Sequence, residues 1–185
     1  MAKTILAISG SKRKGSLNMM LVKAAAKGAE AAGASVTVLD LNEYDIPLYD
    51  GDLEAKGIPA DVLKVKELFK AHDGLLIASP EYNGGYTPLL KNLIDWVSRP
   101  VEGEGRLECF AGKTAALMGA SPGGLGGIRA LPSVAAILNS IGVTILASPF
   151  ALGQAHEVFE ADGSVPDEGH RQRIEGLGAK LAKVL

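Results

Sequence analysis

A short polar loop lies between the first strand pattern and the first helix pattern of this chain, and its residues could bind a phosphate group. The loop is Gly10-Ser11-Lys12-Arg13-Lys14-Gly15-Ser16-Leu17-Asn18. Backbone N–H groups and the positive end of a helix dipole converge at such a position. Ser11, Ser16 and Asn18 can donate to phosphate oxygens, and the Arg13 guanidinium suits a bidentate contact. A solvated basic turn is the alternative, but the place after the first strand favours phosphate.

A second loop, Ser79–Tyr86, follows the third apolar run and could lie against a flat ring. It combines two tyrosines, Tyr82 and Tyr86, with the glycine pair Gly84-Gly85. Glycines let backbone N–H groups approach ring nitrogens and carbonyls closely, and a tyrosine can border an aromatic ligand. An ordinary exposed turn remains the alternative for this loop.

The third loop, Gly119–Gly127, is rich in glycine and follows the fourth apolar run. It superficially resembles a dinucleotide-binding fingerprint, but it is not on the first strand and no acidic residue follows at the required distance. We therefore expect it to form a second wall of the same crevice. Arg129, just beyond it, could bind an anion, brace a subunit contact or simply be exposed.

Alternating strand and helix patterns should position these loops. Apolar runs predict strands at Thr4–Ile8, Ser35–Leu39, Gly74–Ala78, Thr114–Gly119 and Val143–Ala147. Helical patterns cover about Leu17–Ala32, Ala60–Ala71, Pro88–Ser98, Ile128–Ser140 and Glu168–Val184. Five βα units predict an α/β doubly wound three-layer sandwich, with a five-stranded parallel sheet in the order 2-1-3-4-5. Residues 1–185 should form one domain, with its ligand crevice where strands one and three end.

Composition narrows the possible partners. The 185 residues carry a net charge of −2, which gives no field for nucleic acid. Cys109 is the only cysteine, so an intrachain disulfide is excluded and a reducing compartment, the cytoplasm, is expected. No apolar run is long enough for a membrane span, and no signal peptide is expected. His72, His156 and His170 lack paired Asp or Ser residues, so we predict neither a metal site nor a catalytic histidine.

These motifs together resemble the NAD(P)H-dependent FMN reductases, a family with the flavodoxin-like fold that includes quinone, chromate and azo-dye reductases. The resemblance covers nearly the whole chain. It is carried by the first loop, by Ser79-Pro80-Glu81-Tyr82-Asn83-Gly84, by the later glycine-rich loop, and by Pro88, Leu90-Lys91-Asn92, Asp95-Trp96 and Ser98-Arg99.

The resemblance implies a set of FMN contacts. Those to the phosphate would come from Ser11, Arg13, Ser16, Leu17 and Asn18. Those to the ribityl chain and isoalloxazine would come from Pro80, Glu81, Tyr82, Asn83 and Gly84. Ser121, Gly123 and Gly124 would flank the ring from the other side. It also implies a homodimer or homotetramer whose interface includes the helix with Trp96, although Trp96 could equally be a core residue.

The resemblance further implies that FMN carries the chemistry, with no catalytic side chain. NADPH or NADH would transfer a hydride to flavin N5, and the reduced flavin would then reduce a small-molecule acceptor such as a quinone, chromate or an azo dye, with ping-pong kinetics. Lys12 and Lys14 could attract the 2′-phosphate of NADPH or could simply be solvated. A flavodoxin-type electron carrier or a flavin-binding redox sensor is the alternative, although a charge of −2 is mild for a carrier.

A phosphate-loop kinase or ATPase is disfavoured because Ser16-Leu17 stands where that motif requires Lys followed by Ser or Thr. A thiol phosphatase is disfavoured because Cys109 is far from the first loop.

Overall fold

The computed structural model describes residues 2–147 and 149–185, and a parallel sheet lies at the centre of the described chain. Its strands are β1 (Thr4–Ser9), β2 (Ser35–Leu39), β3 (Gly74–Ala78), β4 (Thr114–Ala120), β5 (Thr144–Ile145) and β6 (Phe150–Leu152). The order β2-β1-β3-β4-β5 confirms the predicted topology. The ends of β1 and β3 therefore lie side by side, and the loops that follow them meet.

Helices cover both faces of the sheet, as the doubly wound pattern requires. They are α1 (Leu17–Ala31), α2 (Gly51–Glu54), α3 (Ala60–Lys70), α4 (Pro88–Val97), α5 (Leu131–Ser140), α6 (Ala155–Val158) and α7 (Glu168–Val184), with a 3-10 turn at Leu41–Glu43. Side chains alternate across each strand. Ile5 and Ala7 pack towards α1 and α7, whereas Leu6 and Ile8 pack towards α3, α4 and α5. The three-layer sandwich is confirmed.

The edge of the sheet beyond β4 corrects the predicted five strands. Instead of one strand over Val143–Ala147, β5 pairs with the start of β4, and β6 pairs with its end through Met118 and Phe150. Pro149 comes directly before β6 and has no N–H for a ladder hydrogen bond, which accounts for two short strands. The described chain thus has a six-stranded sheet.

Two smaller differences concern helices. The predicted helix from Ile128 begins at Leu131, because Gly126 and Gly127 have positive φ angles and the next residues form tight turns. None of the predicted helices covers the segment between Asn42 and Pro59, but the short helix α2 lies there. Among the described helices, none has both the length and the apolar composition needed to cross a bilayer.

The packing of α1 against α7 positions the helix that follows the polar loop Gly10–Asn18. We call this loop the phosphate loop, after the ligand predicted for it. Gly28 of α1 and Gly178 of α7 lie at the contact. A methyl group on Gly28 would overlap the carbonyl oxygen of Glu175, and one on Gly178 would overlap that of Ala25. The two helices therefore touch backbone to backbone, which only glycine permits at these two positions.

Candidate functional site

The loop after β1 is held in place by the start of α4. The Gly10 N–H donates to the Ala78 carbonyl at 2.8 Å. The Thr87 hydroxyl donates to the Gly10 carbonyl at 2.8 Å and accepts from the N–H of Leu90 at 3.2 Å. A Cβ atom on Gly10 would lie 3.0 Å from Thr87 Oγ1 and 3.2 Å from Leu90 Cβ, so a larger residue would crowd both side chains. Thr87 thus caps α4 and at the same time holds the loop after β1 against the start of that helix.

The loop offers the donors that a phosphate requires. Ser16 caps α1 by accepting from the N–H of Met19 at 3.3 Å, and its own hydroxyl proton stays free to donate. In the described part of the chain, the N–H groups of Leu17 and Asn18 donate to no protein acceptor. Arg13 is exposed beside them, and the first turn of α1 has no acidic residue. This donor set fits a phosphate monoester.

Asn18 has a structural role that its position in the loop did not reveal. Its Nδ2 donates to the Ala120 carbonyl at 2.9 Å, and its Oδ1 accepts from the Ala120 N–H at 3.0 Å. The side chain is buried and joins the start of α1 to the end of β4. The second Nδ2 hydrogen and the Asn18 backbone N–H are therefore the donors that remain available to a phosphate.

We expect Asn18→Ala to destabilise the protein even without FMN, by about 2 kcal/mol, because both polar groups of Ala120 lose their partner. Urea unfolding of the FMN-free protein at neutral pH measures this change. Ser11→Ala serves as the control, since the Ser11 hydroxyl makes only a local contact to the Arg13 N–H at 3.3 Å. Equal stability of the Asn18 variant and the wild type would contradict the bracing role.

The loop after β3 contains a tight turn that presents its first residues to the crevice. Tyr82 and Gly85 exchange two backbone hydrogen bonds, of 2.9 and 3.0 Å. Between them Asn83 and Gly84 have φ angles of 52° and 82°, as in a type I′ turn. Asn83 and Gly84 form the tip of the turn, and Tyr82 is more than half exposed.

The loop after β4 packs closely on the new edge strand. Ser121 donates its N–H to the Leu152 carbonyl at 3.2 Å, and its hydroxyl donates to the Gly123 carbonyl at 3.0 Å. A Cβ atom on Gly126 would lie 2.6 Å from backbone atoms of Leu152. Strand β6, which the sequence pattern did not predict, therefore supports the loop after β4.

An ion pair joins the second and third loops. Arg129 Nε donates to Glu81 Oε1 at 2.6 Å, and the Arg129 N–H donates to Glu81 Oε2 at 3.1 Å. The Glu81 carboxylate is nearly buried, whereas Arg129 is largely exposed. Hydrogen bonding from Arg129 lowers the pKa of Glu81, against the opposing effect of burial. The two loops are thus held at a fixed separation.

Arg129→Gln should raise the pKa of Glu81 towards its ordinary value. The stabilisation that comes from a lowered carboxyl pKa exists above the unfolded-state pKa and is lost as pH falls through the folded-state pKa. We therefore expect the variant to be less stable by under about 1 kcal/mol at neutral pH, since Arg129 is exposed. The difference in stability between the two proteins should shrink as pH falls below the ordinary range of glutamate pKa values. A carboxyl-carbon NMR titration checks the pKa, and an unchanged Glu81 pKa would contradict the pairing.

The three loops enclose a cavity, which we call the interloop cavity, of about 300 Å³. It brings together nine predicted residues: Ser11, Arg13, Ser16, Leu17, Asn18, Pro80, Glu81, Tyr82 and Ser121. Ala120 and Pro122 also line it and were not predicted. An adjoining cavity of about 300 Å³ shares Glu81 and Ser121 and contains Gly123 and Gly124. Asn83 and Gly84 line neither cavity.

Comparison with known proteins agrees with this geometry. The family model described as NADPH-dependent FMN reductase matches residues 4–157, which include all three loops. The chain belongs to this family. It is therefore an FMN-dependent NAD(P)H oxidoreductase rather than an electron carrier.

Individual relatives are similar to this protein over most of the chain. An NAD(P)H-dependent FMN reductase of Pseudomonas aeruginosa is 38% identical over 172 residues, covering 92% of this chain and 89% of that protein. A quinone reductase of Escherichia coli K12 is 34% identical over 176 residues, covering 93% and 89%. The solved structure of FerB, an NAD(P)H:(acceptor) oxidoreductase from Paracoccus denitrificans, has a TM-score of 0.84 at 36% identity, covering 98% and 96%.

The FMN reductase fold extends to more distant proteins. An archaeal flavodoxin structure matches with a TM-score of 0.65 at 15% identity, covering 98% of this chain and 97% of that one. This likeness supports the flavodoxin-like fold and nothing beyond it. Among the described residues, no group of three or more His, Cys, Asp or Glu side chains is placed to hold a metal ion.

Proposed function

We propose that the interloop cavity binds FMN and that the enzyme uses it to reduce quinones with NADPH or NADH. The observation that supports this most is the cavity itself, since residues from all three predicted loops line it at the carboxyl ends of β1, β3 and β4. Ligand sites in doubly wound sheets occur at this place. When bound, FMN supplies the two-electron chemistry between the nicotinamide donor and the acceptor.

In this proposal the FMN phosphate lies on the loop between Gly10 and Asn18. The free N–H groups of Leu17 and Asn18, the hydroxyls of Ser11 and Ser16, and the Arg13 guanidinium donate to its oxygens. The positive end of α1 adds attraction for the negative charge. Because Thr87 and Asn18 fix the loop on α4 and β4, these donors are positioned before the ligand arrives.

The isoalloxazine ring would lie between the second and third loops. Pro80, Glu81 and Tyr82 border the interloop cavity on one side, and Ser121 borders it on the other. Gly123 and Gly124 line the adjoining space, where a nicotinamide or a quinone could stack on the ring. The Glu81–Arg129 ion pair holds the second and third loops at a fixed distance from each other. The predicted contacts of Asn83 and Gly84 with the flavin stay part of the proposal. Both residues belong to the turn between Tyr82 and Gly85.

The quinone acceptor class is taken from relatives, several of which are named quinone reductases. Chromate and azo-dye reduction stay predictions. We also propose a cytoplasmic location, since Cys109 is buried and unpaired. A homodimer or homotetramer completes the proposal, because Lys91, Asn92 and Asp95 of helix α4 are partly exposed, whereas Trp96 is a buried core residue.

An anaerobic half-reaction tests the proposed function. The purified protein is loaded with FMN, freed of excess flavin and mixed with NADPH, which should abolish the visible absorption of the oxidised flavin. Subsequent addition of a benzoquinone should restore it. FMN in buffer without protein is the control. A flavin that stays oxidised with both NADPH and NADH would overturn the proposal and support the electron-carrier alternative.

A further inference from the structure

A larger cavity, which we call the basic groove, adjoins the interloop cavity at the phosphate loop. Its volume of about 540 Å³ falls within the range of small-molecule sites. The loop, one face of α1, the segment 161–163 and the residues after β2 form its walls. It shares Ser11, Arg13 and Ser16 with the interloop cavity, so the two spaces meet where the FMN phosphate is proposed to bind.

One face of α1 forms the floor of the basic groove. Its lining residues are spaced three and four apart along the helix: Ser16, Met19, Met20, Lys23, Ala24 and Lys27. At 1.5 Å per residue this face is about 16 Å long. The two methionines provide a polarisable apolar surface near the loop, which suits the face of a flat ring. Lys23 and Lys27 continue the floor beyond them.

The groove concentrates positive charge in a chain whose net charge is −2. Five cations line it, Lys12, Arg13, Lys14, Lys23 and Lys27, against the carboxylates Asp40 and Asp162. Within the described ranges, none of these five cations forms an ion pair with a carboxylate. Their charge is therefore available to an anionic ligand.

Asp40 adds a second feature of nucleotide sites. It follows the last residue of β2 directly, and its Oδ1 accepts from the N–H and Nδ2 of Asn42, both at 2.9 Å. These hydrogen bonds, with help from Lys23 and Lys12, lower the pKa of Asp40. In doubly wound nucleotide-binding folds, an acidic residue at this point accepts from ribose hydroxyls while phosphates lie at the start of the first helix.

We propose that the basic groove binds an adenosine phosphate group, with the phosphate among the lysines, the ribose towards Asp40 and the base over Met19 and Met20. The inference rests on the proposed position of the FMN phosphate. Two ligands contain an adenosine phosphate group that would extend to the basic groove. One is FAD, whose adenylate half continues from the flavin phosphate; the other is NADPH, whose adenosine end also carries a 2′-phosphate.

Calorimetric titration of the FMN-loaded protein with ADP tests the groove itself. We expect binding, and we expect the double variant Lys23→Gln, Lys27→Gln to weaken it about tenfold through the loss of two phosphate contacts. The double variant Lys56→Gln, Lys180→Gln removes the same charge from exposed positions elsewhere and should leave ADP affinity within twofold. No ADP binding at millimolar concentration, or equal affinity in both double variants, would overturn the proposal.

Two further experiments distinguish FAD from NADPH as the ligand of the basic groove. If FAD is the ligand, the flavin-free wild type binds FAD more tightly than FMN, and the Lys23, Lys27 variant loses that preference. If NADPH is the ligand, that variant raises the KM for NADPH without changing the preference between flavins. FMN affinity should be the same in the variant and the wild type, since Lys23 and Lys27 lie outside the interloop cavity. Failure of FMN binding would thus count against the proposed function, and failure of ADP binding against the groove.

Discussion

Replacing Arg13 by alanine is expected to weaken FMN binding about 30-fold, which corresponds to about 2 kcal/mol for lost charge-assisted hydrogen bonds to the phosphate. The side chain is exposed at the rim of the interloop cavity and makes only a 3.3 Å contact to the Gly15 carbonyl. Its removal should therefore leave the fold intact. Quenching of flavin fluorescence on titration with apoprotein measures the dissociation constant.

Riboflavin, which lacks the phosphate, makes this experiment specific. The Arg13 variant should bind riboflavin as well as the wild type does, so that the whole loss appears with FMN alone. Arg106→Ala, which removes an exposed arginine from a distant loop, provides the matched charge control. If FMN and riboflavin affinities fall together, Arg13 does not contact the phosphate and the proposed orientation of the flavin is wrong.

Gly178→Ala should be the most destabilising single substitution among those considered, at about 3 kcal/mol. The added methyl group would overlap the Ala25 carbonyl of α1, and neither backbone can move without separating two helices. For a chain of this length such a loss lowers Tm by roughly 6–12 °C. Thermal unfolding followed by circular dichroism measures it.

Gly176, two residues earlier on the same helix, gives a matched comparison. It is exposed, and a Cβ atom there would meet nothing within 4 Å. Gly176→Ala should stabilise the protein by about 0.5–1 kcal/mol, because alanine favours the helix. Both substitutions add one methyl group to the same helix, but the expected changes in stability have opposite signs. A Tm for the Gly178 variant at or above that of the wild type would contradict the close packing of α1 on α7.

Much of the fold followed from the sequence because local signals were strong. Apolar runs of about five residues, alternating with helical patterns, determined the strand order 2-1-3-4-5, which the structure confirms. The polar loop after β1 was recognisable because a parallel sheet places such a loop at its carboxyl edge. For the same reason the structure brings nine of the predicted contact residues around one cavity.

The features that sequence reasoning missed depend on contacts distant along the chain. Asn18 resembled a phosphate ligand, and its bonds to Ala120 could not be inferred because 102 residues separate the two. The Glu81–Arg129 pair spans 48 residues. Strand β6 is only three residues long and follows a proline, so no periodic pattern marks it. Asp40 and the lysines of the basic groove are spread over three elements that only the folded chain brings together.

The close contact between α1 and α7 has a consequence for the newly made protein. Helix α1 spans Leu17–Ala31 and helix α7 spans Glu168–Val184, so their packing joins two segments that are far apart in the sequence. While α7 is still inside the ribosome, the face of α1 that packs on it stays uncovered, and the helix that begins at the phosphate loop lacks one of its supports. Stable flavin uptake should therefore follow the emergence of α7 from the ribosome rather than precede it.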